Sequence, residues 1–428
     1  MEPLEVHRKD WRNLVALGVS ALGILYYLAQ AILLSALLLI GIFNSQIDAG
    51  ENTLIGLMVW YSIVPFVLLI PVFLFSLYDY REKPIPAWLG TRQPKVKKRL
   101  LWSILFLPVI MVIGWMVVGQ PTLSVFILGF INVLVAGIPV LWMSTVAQWQ
   151  LDGGSQARKW RIFGFSLTIM PVLVIFIEIL VILLMAVFGG LWIVYRSSIN
   201  PQLESEFMFI VNQLSLSIGD LDRISQLLEP YILQPSVIFW GFAIFSGIIP
   251  LIEEIIKPIA LWSLAGRNIS PEEGFVGGLL CGAGFALMEN LLYLRIVVSA
   301  EEWLIMSIGR TGTVALHMLA SGLVGWGLVK TWREGKWLPL IMTTVGSFLL
   351  HGIWNAMALL SGVIPLVNGN LEVTPKQTLF YNLPLILLFF TTLISIFLIN
   401  RYFRKGTIEH ITKTQTSIEE EGTADEVS

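Results

Sequence analysis

Polar positions along this chain are sparse and grouped, and long apolar stretches run between the groups. A helix that crosses a bilayer needs about 20 apolar residues, because each adds 1.5 Å against a hydrocarbon core of about 30 Å. Ten stretches meet that requirement, at about 14–42, 54–78, 100–119, 122–148, 162–195, 237–264, 274–298, 304–329, 338–361 and 377–400. None alternates with the period of two that marks a membrane β-strand. Helices are then the way to satisfy backbone groups in lipid. The fifth stretch, about 34 residues long, exceeds the core thickness and must tilt, break or protrude. The pattern predicts an all-α polytopic membrane protein of ten spans.

Composition agrees. Of 428 residues, 56% are hydrophobic and 13% charged, whereas a soluble domain carries about 25% charged residues. An ordinary soluble enzyme, a disordered chain and a basic nucleic-acid module are excluded. The net charge of −2 gives no global field to attract a polyanion, so no nucleic-acid partner is expected. One cysteine, Cys281, rules out a disulfide framework and a cysteine-based zinc site.

The basic residues set an orientation. With the N-terminus in the cytoplasm, the external segments hold only Arg196, Arg223 and Lys376. Lys257, Arg295 and Arg310 lie within spans, so 21 of the 27 basic residues fall in cytoplasmic segments. Both termini are expected inside, in a bacterial plasma membrane. The first stretch is too long for a signal-peptide core and reads as a retained span. The external segment 196–236 is acidic and is expected to form a short amphipathic helix. The tail after Lys405 is polar and predicts disorder. The organisation expected is an N-terminal membrane region over 1–236, a four-helix core over 237–361, a last span within 362–405 and an acidic cytoplasmic tail over 406–428.

Ionisable residues are costly inside a bilayer and mark candidate sites. The first five spans offer one obvious case, Glu178. The later spans are richer: Glu253, Glu254 and Lys257 on the sixth, Glu289 and Asn290 on the seventh, His317 on the eighth, His351 and Asn355 on the ninth. Glu253, Glu289, His317 and His351 each lie roughly 20–24 Å along their spans, which places them in one central band. Thr343, Ser347, His351 and Asn355 recur every four residues, as do Thr313, His317, Ser321 and Gly325. Gly278 and Gly282 make a G-x-x-x-G pair that lets helices approach closely in lipid. Pro250 and Pro258 bracket the two glutamates and bend or open their helix.

This inventory fits general acid–base chemistry. Lys257 follows Glu253 by four residues, the better spacing for a Glu–Lys pair, which leaves Glu254 as general base. Two imidazoles and a carboxylate from three helices make a zinc site with an open fourth position. The expected ligands are Glu289, His317 and His351, with Asn355 holding a histidine or the developing oxyanion.

The run Glu253-Glu254-Ile-Ile-Lys257 resembles the EExxK motif of the PrsW-type intramembrane proteases. Phe285-Ala-Leu-Met-Glu289 resembles their FxxxE motif, and His317 and His351-Gly-Ile-Trp-Asn355 resemble their two later histidine motifs. The resemblance covers roughly 237–360. It implies a membrane-embedded metallopeptidase that cuts membrane-anchored proteins such as anti-sigma factors. It also implies a relation to the wider superfamily of the CAAX prenyl endopeptidases. Their EExxxR and FxxxH motifs differ here at Lys257 and Glu289.

Two other classes compete. Intramembrane Glu, Lys and His also build the relays of ion-coupled transporters, but no inverted repeat is visible and the ionisable groups cluster in one half. A non-catalytic scaffold or sensor would tolerate replacement of Glu253, Glu254 and His351.

Overall fold

The structure is a computed structural model, and it describes residues 11–44, 48–89, 94–151, 153–217, 220–296, 299–367 and 374–425. Among these residues there is no strand, and ten helices are long and apolar enough to cross a membrane. They are span one (Trp11–Phe43), two (Ala49–Tyr80), three (Lys98–Val118), four (Ser124–Ala147), five (Gln156–Ser198), six (Pro235–Trp262), seven (Pro271–Leu294), eight (Ala300–Glu334), nine (Leu338–Pro365) and ten (Lys376–Lys405). Each coincides with a stretch expected from the sequence, and the chain is a multi-pass membrane protein.

Span five is continuous for 43 residues, about 65 Å of helix, so it protrudes. The segment after it holds two helices, Pro201–Leu216 and Leu221–Ile232, where one was expected. Asn200 and Asp220 cap them by accepting hydrogen bonds from the first free backbone N–H groups. The last helix continues to Asp425, although the composition of the tail predicts disorder. Its Glu, Lys and Gln are good helix formers, and extending an existing helix avoids the cost of nucleating a new one. The basic residues Arg8, Lys9 and Arg92, used for orientation, lie outside the described residues.

The chain divides into two compact units. The first comprises Met1–Pro171, Lys257–Ser347 and Leu387–Ser428, and the second Val172–Ile256 and Phe348–Ile386. Pro171, inside span five, marks one boundary, where a missing backbone donor weakens the helix ladder.

The core of the first unit is the antiparallel pair of spans seven and eight. Both start with a capping box, Ser270 with Glu273 and Ser299 with Glu302. The seam between them is built on backbone contact. A Cβ added to Gly278 would collide with the carbonyl oxygen of Ser321, and one on Gly282 with that of His317. Gly274 and Gly325 meet in the same way. The pairs step four residues along each helix in opposite directions, so the small residues of span seven lie on the polar stripe of span eight. Asn132 on span four pins the far end, donating to the Leu294 carbonyl at 3.3 Å and accepting from Trp303 Nε1 at 2.9 Å. On span nine, Ser347 donates to the Ala320 carbonyl at 2.9 Å, and Thr343 packs against Gly327.

In the second unit, span six is irregular. A π-helical turn occupies Ala243–Ile248, the helix resumes over Ile249–Ile256, and it breaks at Lys257 and Pro258. Pro250 explains the π turn: it has no N–H for the carbonyl four residues back, at Ser246, so the ladder shifts register.

Candidate active site

The second unit gathers three metal-capable side chains. Glu253 and Glu254 sit on the short helix between the π turn and the break, and His351 sits midway along span nine. All three are buried, and one donor atom from each lies within 4.8 Å of the others. His351 Nδ1 is 2.9 Å from Glu254 Oε1 and 3.9 Å from Glu253 Oε2. With Nδ1 protonated, His351 donates to Glu254 and fixes that carboxylate in place.

The H-G-x-x-N segment is what seats span nine on span six. Asn355 Nδ2 donates to the Phe245 carbonyl at 2.9 Å, satisfying an acceptor within the π turn. Gly352 permits the approach: a Cβ there would stand 2.5 Å from the Ser246 carbonyl oxygen. Asn355 was expected at a histidine or an oxyanion, and the structure gives it a backbone carbonyl of the π turn instead. The sequence reading missed Gly352 and the π turn, and the signal for both was a glycine inside the histidine motif and a proline seven residues before Lys257.

The first unit carries a second constellation, a row of alternating donors and acceptors. Lys257 Nζ lies 2.8 Å from His317 Nδ1, and His317 Nε2 lies 2.7 Å from Glu289 Oε2. Glu289 Oε2 also accepts from Arg310 Nη2 at 2.6 Å. Lysine's ammonium can only donate, so Nδ1 accepts and Nε2 carries the ring proton toward Glu289. Arg310 in turn is clamped: Nε donates to Asn290 Oδ1 at 2.6 Å, Asn290 Nδ2 donates to the Arg310 carbonyl at 3.1 Å, and the guanidinium lies 4.4 Å from the Tyr293 ring centre. The Lys257 ammonium rests 4.4 Å from the Phe285 ring centre, a cation–π contact that partly replaces its lost hydration.

The seam of spans seven and eight sets this geometry. His317 sits opposite Gly282, and seven residues farther along each helix, two turns, Glu289 meets Arg310. Of the three expected metal ligands, Glu289 therefore has its Oε2 engaged by both His317 and Arg310. A carboxylate so engaged can orient the histidine it touches. Arg310 counted in the sequence only as a basic residue within a span. Its position two turns before His317 on one helix was the available signal.

Residues 206–392 match the model of the PrsW family intramembrane metalloprotease. The match takes in spans six to nine, the segment before them and part of span ten, a wider stretch than the four motifs alone. No curated protein and no solved structure gives a significant match. The sites just described fall inside the matched stretch, and its similarity to the PrsW family of intramembrane metalloproteases implies a membrane-embedded hydrolase of the metalloendopeptidase class.

Proposed function

We propose that this chain hydrolyses peptide bonds of membrane-anchored protein substrates, with Glu254 as general base and Glu253, His351 and His317 as the metal-holding set. The observation that carries the reading is the buried trio of Glu253, Glu254 and His351 within a segment matched to a protease family. Two carboxylates and an imidazole are oxygen and nitrogen donors of the kind zinc takes, and their burial excludes competing water. His317 is kept in the set on the sequence, where it lies at the same depth along its span as His351. Its Nε2 is held by Glu289, so Nδ1 would be the ligating atom. A zinc ion held there supplies Lewis acidity toward a water and a scissile carbonyl.

The chain's own residues do the rest. Glu254 takes the proton of the attacking water and returns it to the departing amine. His351 holds Glu254 in the required rotamer through the 2.9 Å hydrogen bond. Glu289, braced by Arg310, fixes the ring plane of His317. Asn355 and Gly352 keep span nine seated on the π turn of span six, and so keep His351 beside the glutamates. Lys257, four residues after Glu253 in the sequence, supplies positive charge that offsets carboxylate charge. Cytoplasmic termini, a bacterial plasma membrane and a substrate of the anti-sigma-factor kind belong to this reading.

The test uses purified full-length protein in liposomes with a membrane-anchored peptide. Glu254→Gln is expected to abolish cleavage with helix content unchanged. Chelation should silence the wild type, and zinc should restore it. Cleavage that persists in Glu254→Gln overturns the assignment of the base.

A further inference from the structure

Ser246 sits in the π turn of span six, in the second unit. Its Oγ is buried and has no hydrogen-bond partner among the described residues. Serines elsewhere in the spans satisfy their hydroxyls on their own helix: Ser20 donates to the Ala16 carbonyl at 2.6 Å and Ser62 to the Met58 carbonyl at 2.9 Å. A hydroxyl left unpaired away from water is unfavourable. Ser76, Ser307 and Ser321 carry the same cost in the first unit, but each is wholly enclosed, at 0% exposure. Ser246 is half-buried and shares its helix with the two glutamates. It precedes Glu253 by seven residues, close to two turns, so both lie on one side of span six, about 10 Å apart along the helix. Burial agrees: Pro250, Glu253 and Glu254 are buried, whereas Phe245, Leu251 and Ile255 are 50%, 43% and 55% exposed. Span nine meets both levels at neighbouring positions, with Gly352 against the Ser246 carbonyl and His351 on Glu254.

A peptide group inside a helix is enclosed by its own turns, so a membrane-anchored segment must open into an extended strand around the bond that is cut. Each opened residue releases a backbone N–H that lipid cannot accept. A serine oxygen can accept it. An extended chain rises about 3.3 Å per residue, so the distance from Ser246 to the glutamates corresponds to about three residues of substrate. The exposed apolar face of span six, Phe245, Leu251 and Ile255, gives the remainder of such a segment a surface of matching character.

We propose that Ser246 Oγ binds the main chain of the substrate, accepting an N–H about three residues from the bond that is cut and so setting the register of the opened strand against Glu254. The inference rests on the protease reading and extends it from the reacting bond to the strand beside it. Ser246 reads a group that every residue except proline carries. Selection therefore falls on how readily a segment opens and on the absence of proline at that one position.

The experiment measures, by fluorescence energy transfer in liposomes, the affinity of full-length protein for a single-span Leu–Ala peptide with a central Gly-Gly pair. Glu254→Gln is the background, so that the peptide stays intact. Replacing one peptide amide at a time by an ester removes one N–H. One position should weaken binding about fivefold, the worth of one neutral hydrogen bond. Adding Ser246→Ala should cost the same factor and abolish the sensitivity at that position, and Ser246→Thr, which keeps a hydroxyl, should restore both. The thermal midpoint of Ser246→Ala should stay unchanged or rise, because an unpaired hydroxyl is removed, whereas loss of a structural serine would lower it. The proposal is overturned if Ser246→Ala binds like its background, if the ester scan is flat or the same in both proteins, or if the midpoint falls with the affinity. A flat ester scan beside intact cleavage by the wild type sinks this inference alone, and failure of the protease reading shows separately, as cleavage that survives Glu254→Gln.

Discussion

Two constellations of ionisable side chains lie in the matched region, and they differ in the order of their charges. The one in the second unit sets two carboxylates beside one imidazole. The one in the first unit alternates, with an ammonium, an imidazole, a carboxylate and a guanidinium each 2.6–2.8 Å from the next. A buried charge is tolerable when its neighbours complement it and costly when they repeat its sign. The alternating row is matched within itself and needs no added ion to balance it. The carboxylate pair favours the arrival of a cation. The difference lies in which group is already balanced in charge and which is not.

Four substitutions break or sharpen that contrast. The largest effect is expected for His351→Ala, which removes a donor from the acid-rich group. Bound metal, counted by elemental mass spectrometry, should weaken by more than about 100-fold, and cleavage should vanish with it. Full metal content in this variant would dissolve the distinction between the groups. Glu289→Gln keeps a hydrogen-bond acceptor for His317 and removes the charge. Metal affinity should fall about 10- to 100-fold, the usual cost of losing a carboxylate that orients a ligating histidine. Complete metal loss would make Glu289 a ligand and restore the set expected from sequence. Arg310→Lys keeps the positive charge but cannot bridge Glu289 and Asn290 together. Turnover should drop about tenfold at unchanged KM, the size of one hydrogen bond to a charged group. A rise in KM with turnover intact would mean that Arg310 serves substrate binding instead. The smallest effect on chemistry should come from Gly282→Ala, whose Cβ would press on the His317 carbonyl. Its cost appears as about 1–3 kcal/mol of stability in a denaturation series. Gly346→Ala, whose Cβ would meet nothing within 4 Å, serves as the neutral comparison.

Much of this was legible before any coordinates. Ten apolar stretches gave ten spans, because span length is fixed by bilayer thickness and needs no knowledge of packing. Glu253, Glu254, Lys257, Glu289, His317 and His351 stood out because charge inside lipid is rare. What stayed hidden depends on which faces meet. That Glu289 serves Arg310 and His317 follows from the register of spans seven and eight, which single-sequence periodicity does not provide. The π turn at Ala243–Ile248 was hidden because Pro250 announces a disturbance but not its form. Asn355 was given a chemical task when its amide holds the Phe245 carbonyl, and nothing in the motif indicates a backbone acceptor. The tail was read by composition alone, and composition is blind to a helix already running into it.

The glycine seam has a consequence for how this region can vary. Gly274, Gly278 and Gly282 meet Gly325, Ser321 and His317 main chain to main chain, with no side-chain slack between them. The two helices therefore engage like the teeth of a rack. A single residue inserted inside either helix rotates everything beyond it by about 100° and turns Glu289 away from Arg310, whereas residues added in the connection 295–299 leave every tooth engaged. Length changes among natural variants should fall in that connection and spare the helices. Where the seam does slip, it should slip by a whole step of about four residues, carrying His317 some 6 Å past Glu289.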